Sequence, residues 1–274
     1  MNLSHSILAT LTYSDHFGFP LTLPELHLRL IKAKVTRAQL RAALTRFPST
    51  RGYYHLPGRS ALIARRINRA HLSSPLLQRA NRFVAKLKHF PGVLAIYLTG
   101  SLAMQNTNGK SDIDLMIICS PGRLWTTRLL LTLYTTLRSW RRTPHTRHSS
   151  GKLCLNLYLT PNSYRLIPDH RSLYTAYELV QAMALYDPHH THSALLSANS
   201  WIKEYLPNFP LPTTRVDPSQ SKGSTLSILE KLAYTLQLRY MRDKITRELV
   251  TPDAAFFHPR DPGAKVLRKL SLIK

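Results

Sequence analysis

Apolar positions along the chain switch between two periods. Ile7, Leu8 and Leu11 recur at helical spacing, as do Leu26 with Leu30, and Leu40 with Ala43 and Leu44. Thr22-Leu23-Pro24-Glu25 and Thr36-Arg37-Ala38-Gln39 each set a hydroxyl three residues before a carboxylate or amide, the capping-box pattern of a helix start. Tyr53 to Leu56 reads as a strand ended by Pro57-Gly58. A helix is predicted over 74–89, with Leu77, Ala80, Asn81, Val84 and Leu87 on one side and Pro91-Gly92 as its stop. The period then tightens. Val93 to Leu98 is a short apolar strand, Asn108-Gly109 a turn, and Asp112 to Cys119 a second strand. Pro121-Gly122 opens a helix reaching about Trp140, whose Leu130, Leu133, Tyr134, Leu137 and Trp140 form the expected core stripe. Leu153 to Thr160 is a third strand. Helices are expected over 173–185, 192–205 and 226–249, separated by a Pro-, Ser- and Thr-rich connector over 207–223. In the last helix Leu229, Leu232, Ala233, Leu236 and Tyr240 are expected inward and Arg239, Arg242 and Arg247 outward. No internal repeat is present.

This pattern predicts an α/β protein with a small mixed sheet over 71–170, preceded by a small helical unit over 1–70 and followed by a helical region over 171–274. The 274 residues suffice for two modest domains, and the 43% hydrophobic content suffices for cores. The net charge of +24, from 38 basic and 14 acidic residues, adds an attraction to polyanions: nucleic acid, nucleotides or anionic surfaces. Three short helices and a strand pair resemble a winged helix-turn-helix. Its third helix would offer Arg37, Arg41 and Arg46 to phosphates or bases, the alternative being a module that only packs on its neighbour. The longest apolar run, Leu129 to Leu137, is bracketed by Arg128 and Arg138 and is too short to cross a bilayer. Residues 1–12 lack the basic segment of a signal peptide. Cys119 and Cys154 lie in apolar runs and are expected as buried free thiols, which fits a cytoplasmic protein.

The chemistry concentrates between residues 98 and 118. Leu98-Thr99-Gly100-Ser101 is followed, after ten residues, by Asp112-Ile113-Asp114-Leu115-Met116. No other acid occurs between Glu25 and Asp169, so these two carboxylates are not scattered surface charge. Alternate side chains of a strand share a face, so Asp112 and Asp114 point the same way while Ile113 and Leu115 enter the core. Two carboxylates so placed suit Mg²⁺, which takes a few carboxylate oxygens together with phosphates and waters. Gly100 allows close backbone approach to a ligand, and Ser101, at the start of a short helix, offers a hydroxyl and free N–H groups to a phosphate. Lys110, Lys152, Arg123 and Arg128 are the nearby cations. Lys110 is the one selected for the nucleotide, and the others are expected chiefly as solvated charges. The histidines His189, His190 and His192 are expected in an exposed loop. No Walker-type phosphate loop, dinucleotide glycine motif, hydrolase elbow or zinc-type cysteine spacing is present.

The stretch from Tyr97 to Ile118 resembles the DNA polymerase β-like nucleotidyltransferase superfamily, above all its minimal members, in which a Gly-Ser is followed about ten residues later by Asp-x-Asp. Gly100, Ser101, Asp112 and Asp114 carry the match, and the strand and helix pattern extends it to about Thr160. The resemblance implies transfer of a nucleoside monophosphate from an NTP to an acceptor, with two Mg²⁺ ions held by Asp112 and Asp114. The chain departs from that pattern on the third strand, where Asn156 stands in place of the expected third carboxylate. An amide carbonyl can bind a metal but cannot act as a base. Asp169 or Glu178 could supply the acid from a loop or helix. The alternative function is a degenerate nucleotide sensor that binds nucleic acid through the N-terminal unit.

Overall fold

The structure is a computed structural model that describes residues 2–143, 146, 149–212, 227–242, 249–256 and 262–271. The N-terminal unit contains α1 (Leu3–His16), α2 (Leu23–Leu28) and α3 (Arg37–Ala43), with strands β1 (Leu21–Thr22), β2 (Ser49–Thr50) and β3 (Tyr53–Tyr54) paired antiparallel in the order β1-β3-β2. Both capping boxes form: Glu25 accepts from the backbone N–H of Thr22, and Gln39 from that of Thr36. Ile7, Leu11, Leu26, Leu30, Leu40 and Leu44 make its core, whereas Leu8, expected on that stripe, faces solvent.

α4 (Ala61–Leu87) is much longer than the predicted 74–89 helix and runs through Pro75. Proline inside a helix costs one backbone bond. Burial at both ends outweighs that here. Leu62 and Ile63 are buried at the N-terminal end, and Leu76, Ala80, Phe83, Val84 and Leu87 are buried at the other. Arg66 pairs with Glu25 at 2.6 Å and lies over the Phe19 ring, so α4 fastens the first unit to the rest of the chain. A sequence boundary drawn at residue 70 falls inside this helix.

The main sheet has six strands in the order β7-β4-β5-β6-β9-β8. They are β4 (Val93–Leu98), β5 (Ile113–Cys119), β6 (Leu153–Leu159), β7 (Met183–Tyr186), β8 (Leu249–Val250) and β9 (Ala254–Phe256). β5 and β6 run parallel and the other pairs antiparallel. Three strands come from the region expected to be wholly helical. The helix predicted over 173–185 ends earlier, as α7 (Leu173–Gln181), and the chain turns at Ala182 into β7. The helix predicted over 192–205 is two short ones, α8 (Thr191–Ser197) and α9 (Ile202–Tyr205). The edge of β4 needed a hydrogen-bonding partner, and residues 183–186 supply it; helical periodicity in the sequence carries no information about such a demand.

Helices cover both faces. α4, α6 (Leu124–Leu137) and α10 (Ile228–Met241) pack with Ile96, Leu98, Ile113, Leu115 and Ile117. α1, α7, α8, α9 and α11 (Pro262–Ser271) pack with Ala95, Tyr97, Met116 and Ile118 on the other. The expected apolar stripes of α6 and α10 are buried only in part: Tyr134, Trp140 and Ala233 pack on the core as expected, whereas most of the leucines do not. Leu137 is 85% and Leu133 53% exposed, and Leu229, Leu232, Leu236 and Tyr240 are also exposed. The buried side of α6 is Leu124, Arg128, Leu131 and Thr135; that of α10 is Glu230, Ala233, Gln237 and Met241. The interface is held by polar contacts. Glu230 accepts from the backbone N–H groups of Trp125 (2.6 Å) and Thr126 (2.9 Å), capping α6 from another helix, and Gln237 donates to the Trp125 carbonyl at 2.8 Å. Charge-assisted bonds to buried donors contribute about 1.5–3 kcal/mol each. Glu230→Ala is therefore expected to lower unfolding stability by roughly 2–4 kcal/mol in urea denaturation, while Arg239→Ala on the same helix leaves the midpoint unchanged. Arg247 and residues 213–223 of the predicted connector lie outside the described residues.

The N-terminal unit docks on the α7 side. The Tyr177 hydroxyl donates to the Arg29 carbonyl at 2.7 Å, Lys32 N–H to the Tyr205 carbonyl at 2.8 Å, and Tyr13 stacks on Tyr177 with ring centroids 4.0 Å apart. Among the described residues no helix is long and apolar enough to cross a membrane.

Candidate functional site

Alternation along β5 sorts its side chains. Ile113, Leu115 and Ile117 join the α4/α6 core, and Met116 and Ile118 join the α7 core. Asp114 therefore opens onto the α7 side of the sheet, and Asp112, one residue before the strand begins, lies on that side with it. Carboxylate oxygens of Asp112 and Asp114 and the sulfur of Cys154 all lie within 4.8 Å of one another. Both acids are half-buried. The expected convergence of the pair is thus present in the structure.

The glycine-serine turn meets the same point. α5 (Gly100–Ala103) is one turn long, too short for a macrodipole of any size, so Ser101 offers only its own hydroxyl and amide. Gly100 has φ +65°, and a Cβ there would stand 2.9 Å from Asp114 Oδ2. Glycine is required twice over: by the left-handed backbone and by the closeness of the carboxylate. The Thr99 amide donates to the Asp114 carbonyl at 3.0 Å, which fixes the turn against β5. Ser101 is exposed beside it.

β6 contributes from the other flank. Its register pairs Asp114 with Cys154 and Leu115 with Leu155, then slips so that Met116 faces Leu157. Asn156 is the extra residue of this bulge. It is 7% exposed; its Nδ2 donates to Asp114 Oδ1 at 3.3 Å, and its Oδ1 is buried with no hydrogen-bond partner. A buried amide oxygen without a donor is costly, and a half-turn of the amide, which now presents Nδ2 to Asp114, would offer that oxygen to a cation at the acid pair. The donor set of two carboxylates, an amide oxygen and space lined by Gly100 fits a divalent metal.

Two further charged groups frame the pair. Arg142 Nη1 donates to Asp112 Oδ2 at 2.6 Å from the half-exposed loop before β6. Glu178 stands on α7, one turn before its end. The pairing of Leu98 with Met183 brings the end of α7 beside the Thr99-Gly100 turn. Burial, then the charge of Asp114, pushes the Glu178 carboxyl up to about 7, against a hydrogen bond with Tyr174. Burial, then Asp112, pushes Asp114 up to about 6, against a hydrogen bond from the Cys154 thiol and the charge of Arg142. Asp114 thus interacts with two other carboxyls, Asp112 and Glu178, while Arg142 is paired with Asp112.

Other expected residues lie elsewhere. Lys110 is exposed in the turn before β5 and forms no ion pair with either aspartate among the described residues. Lys152 donates to the Ser139 carbonyl. Arg123 is the N-cap of α6 and Arg128 lies within it, on the opposite face of the sheet, and Arg128 is buried against Gln237, Met241 and Trp125. Neither can reach a ligand at Asp114. Asp169 is exposed in a 3-10 turn, so of the two acids considered as replacements only Glu178 is coupled to the pair. His189 and His190 are exposed, and His192 contacts the Leu179 carbonyl.

The residues missed from sequence are Arg142 and Cys154. Cys154 had a signal, since it alternates with Asn156 on one strand face. Arg142 had none, because a loop arginine in so basic a chain is one of many. Cys119 and Cys154 are both free, as expected, but only Cys119 is fully buried. Comparison of the chain with family models, curated proteins and solved structures returned no match.

Proposed function

We propose that this protein is a nucleotidyltransferase of the polymerase β-like type, transferring a nucleoside monophosphate from an NTP to a hydroxyl acceptor with release of pyrophosphate. The observation that carries the reading is the closeness of Gly100 to Asp114, with Asn156 bonded to the same carboxylate and its own amide oxygen unpartnered. Mg²⁺, bound by Asp112 and Asp114 and by the Asn156 carbonyl, would neutralise charge on the phosphates. Gly100 lets the phosphate chain approach the turn, and Ser101 donates to it. Arg142 already faces Asp112 and can pass to a phosphate oxygen when a cation takes its place. Glu178 takes the role left vacant by Asn156. As the acceptor oxygen bonds to the α-phosphorus, its proton goes to the Glu178 carboxylate, and the bond to the pyrophosphate oxygen breaks. A carboxyl titrating near neutrality suits that task. This makes catalysis a better-supported reading than the degenerate sensor, which rested on the lack of a third acid.

The N-terminal unit is proposed as a winged helix, with α3 as its outward-facing helix. Arg37 and Arg41 on α3 and Arg46, which lies beyond α3 in a 3-10 turn and not on the helix as expected, are all exposed, which favours a polyanionic acceptor such as RNA. Incubation of the protein with α-labelled NTPs, Mg²⁺ and a panel of RNA and protein acceptors tests the reaction. Label is expected on one acceptor class with stoichiometric pyrophosphate, and excess chelator is expected to abolish it. Inorganic phosphate as the product would instead make the protein a hydrolase.

A further inference from the structure

The acid pair has a neighbour that a hard cation does not need. Parallel pairing of β5 with β6 sets Cys154 directly across from Asp114, on the same face, and its sulfur lies within 4.8 Å of an oxygen of each aspartate. Two metal–ligand bonds of about 2.0–2.3 Å span at most about 4.6 Å, so small side-chain rotations close the three atoms on one ion. The second observation is the amide beside the acids, whose Nδ2 bonds Asp114 Oδ1. Asn156 is nearly buried, hangs from the β6 bulge, and leaves its Oδ1 without a donor. Arg142 engages Asp112 through Oδ2, and among the described residues no hydrogen bond to its Oδ1 is present.

We propose that Cys154, together with Asp112, Asp114 and Asn156, forms a site for a thiophilic divalent transition-metal ion such as Zn²⁺ or Co²⁺, a binding mode of the centre that Mg²⁺ does not use. The proposal rests on the acid pair being a cation site and adds the thiolate to it. Mg²⁺ takes oxygen ligands and leaves the thiol protonated. A softer ion takes the sulfur, and the thiol proton passes to water as the metal–sulfur bond forms, with no change of oxidation state. Four donors, three oxygens and one sulfur, match the coordination number such ions adopt in proteins. The consequence is competition: Zn²⁺ held through Cys154 occupies the aspartates and excludes Mg²⁺ from them. The other cysteine cannot serve, because Cys119 is fully buried in the core on the opposite face of the sheet.

Co²⁺ titration of the full chain, followed by absorption, tests this, since thiolate ligation gives an intense near-ultraviolet sulfur-to-cobalt charge-transfer band. The band is expected in the wild type and in Cys119→Ser, and is expected to vanish in Cys154→Ser and Cys154→Ala. Zn²⁺ affinity, measured by competition with a chromogenic chelator, is expected to fall about 10-fold or more in the Cys154 variants. Circular dichroism melts confirm that each variant is folded, and the second Cys154 variant guards against a serine oxygen acting as ligand. A charge-transfer band that persists without Cys154 overturns the proposal, as does Asp114-dependent Co²⁺ binding without the band in the wild type. Absence of any Asp114-dependent Co²⁺ binding removes the cation reading of the acid pair itself, and the Cys154 proposal with it.

Discussion

Asp114→Asn is expected to reduce label transfer by roughly 10³-fold, the equivalent of about 4 kcal/mol of lost transition-state stabilisation. The substitution keeps shape and the contact with Asn156 but removes the charge that would hold a cation at the Gly100 turn. Its effect on folding has the opposite sign. Asp114 carries a carboxyl raised from its ordinary value to about 6, chiefly by burial and then by Asp112. A raised carboxyl favours the folded state fully below the unfolded pKa, and that advantage is lost as pH climbs through the folded value. At pH 8, with chelator present, the aspartate is thus a liability, and Asp114→Asn is expected to melt at the wild-type temperature or a few degrees above it. Inactivity combined with undiminished stability separates loss of a functional charge from loss of structure. A variant that retains full transfer activity would remove Asp114 from the mechanism.

Glu178→Gln is expected to lower kcat by about 10²–10³-fold while leaving KM for the NTP within about twofold. The amide preserves size and can still bond Tyr174, but it cannot accept the acceptor's proton. Asp169→Asn is the matched control, because Asp169 is exposed away from the pair, and it is expected to retain wild-type rates. The two variants discriminate between sources of the missing third acid. If both retain wild-type rates, neither acid serves as the base, and the proton leaves through water. If Asp169→Asn is the impaired one, the placement of α7 over the Gly100 turn has no catalytic meaning.

The legibility of this chain differs from one element to the next. The strand at 93–98, the Gly-Ser turn, the following one-turn helix and the strand carrying Asp114 could all be read locally, because each is set by short-range rules: a continuous apolar run, a glycine where φ must be positive, alternation along a strand. The convergence of Asp112 with Asp114 is a consequence of that alternation alone. Both capping boxes were likewise legible, since the partners are three residues apart. The choice between Asp169 and Glu178 as a third acid was not. Glu178 reaches the site only because Met183 pairs with Leu98, a contact 85 residues apart in sequence. The arginines illustrate the same point in reverse. Arg128, close to the acids along the chain and expected as a solvated charge, is buried with the sheet between it and Asp114, while Arg142 was inconspicuous and sits on Asp112.

Helix faces show where periodicity stops being informative. In α10 the spacing of Leu229, Leu232, Leu236 and Tyr240 defines an apolar stripe correctly, but the stripe faces out, because Glu230 and Gln237 bind the exposed amides and carbonyl of α6. Buried hydrogen-bonding groups are expensive to leave unmade, and that demand outweighed the burial of leucines.

By itself the sequence determined the α/β class, the local strand-turn-strand that pairs two carboxylates with a glycine, and the strongly basic character of the molecule. These follow from side-chain alternation, backbone sterics and composition, which act between neighbours in the chain. Tertiary structure alone decided that the C-terminal region adds three strands to the sheet, which way α6 and α10 turn, and that Cys154, Arg142 and Glu178 surround Asp114. Those outcomes depend on hydrogen-bond partners and charges brought together from distant segments, and no local pattern records which segments will meet.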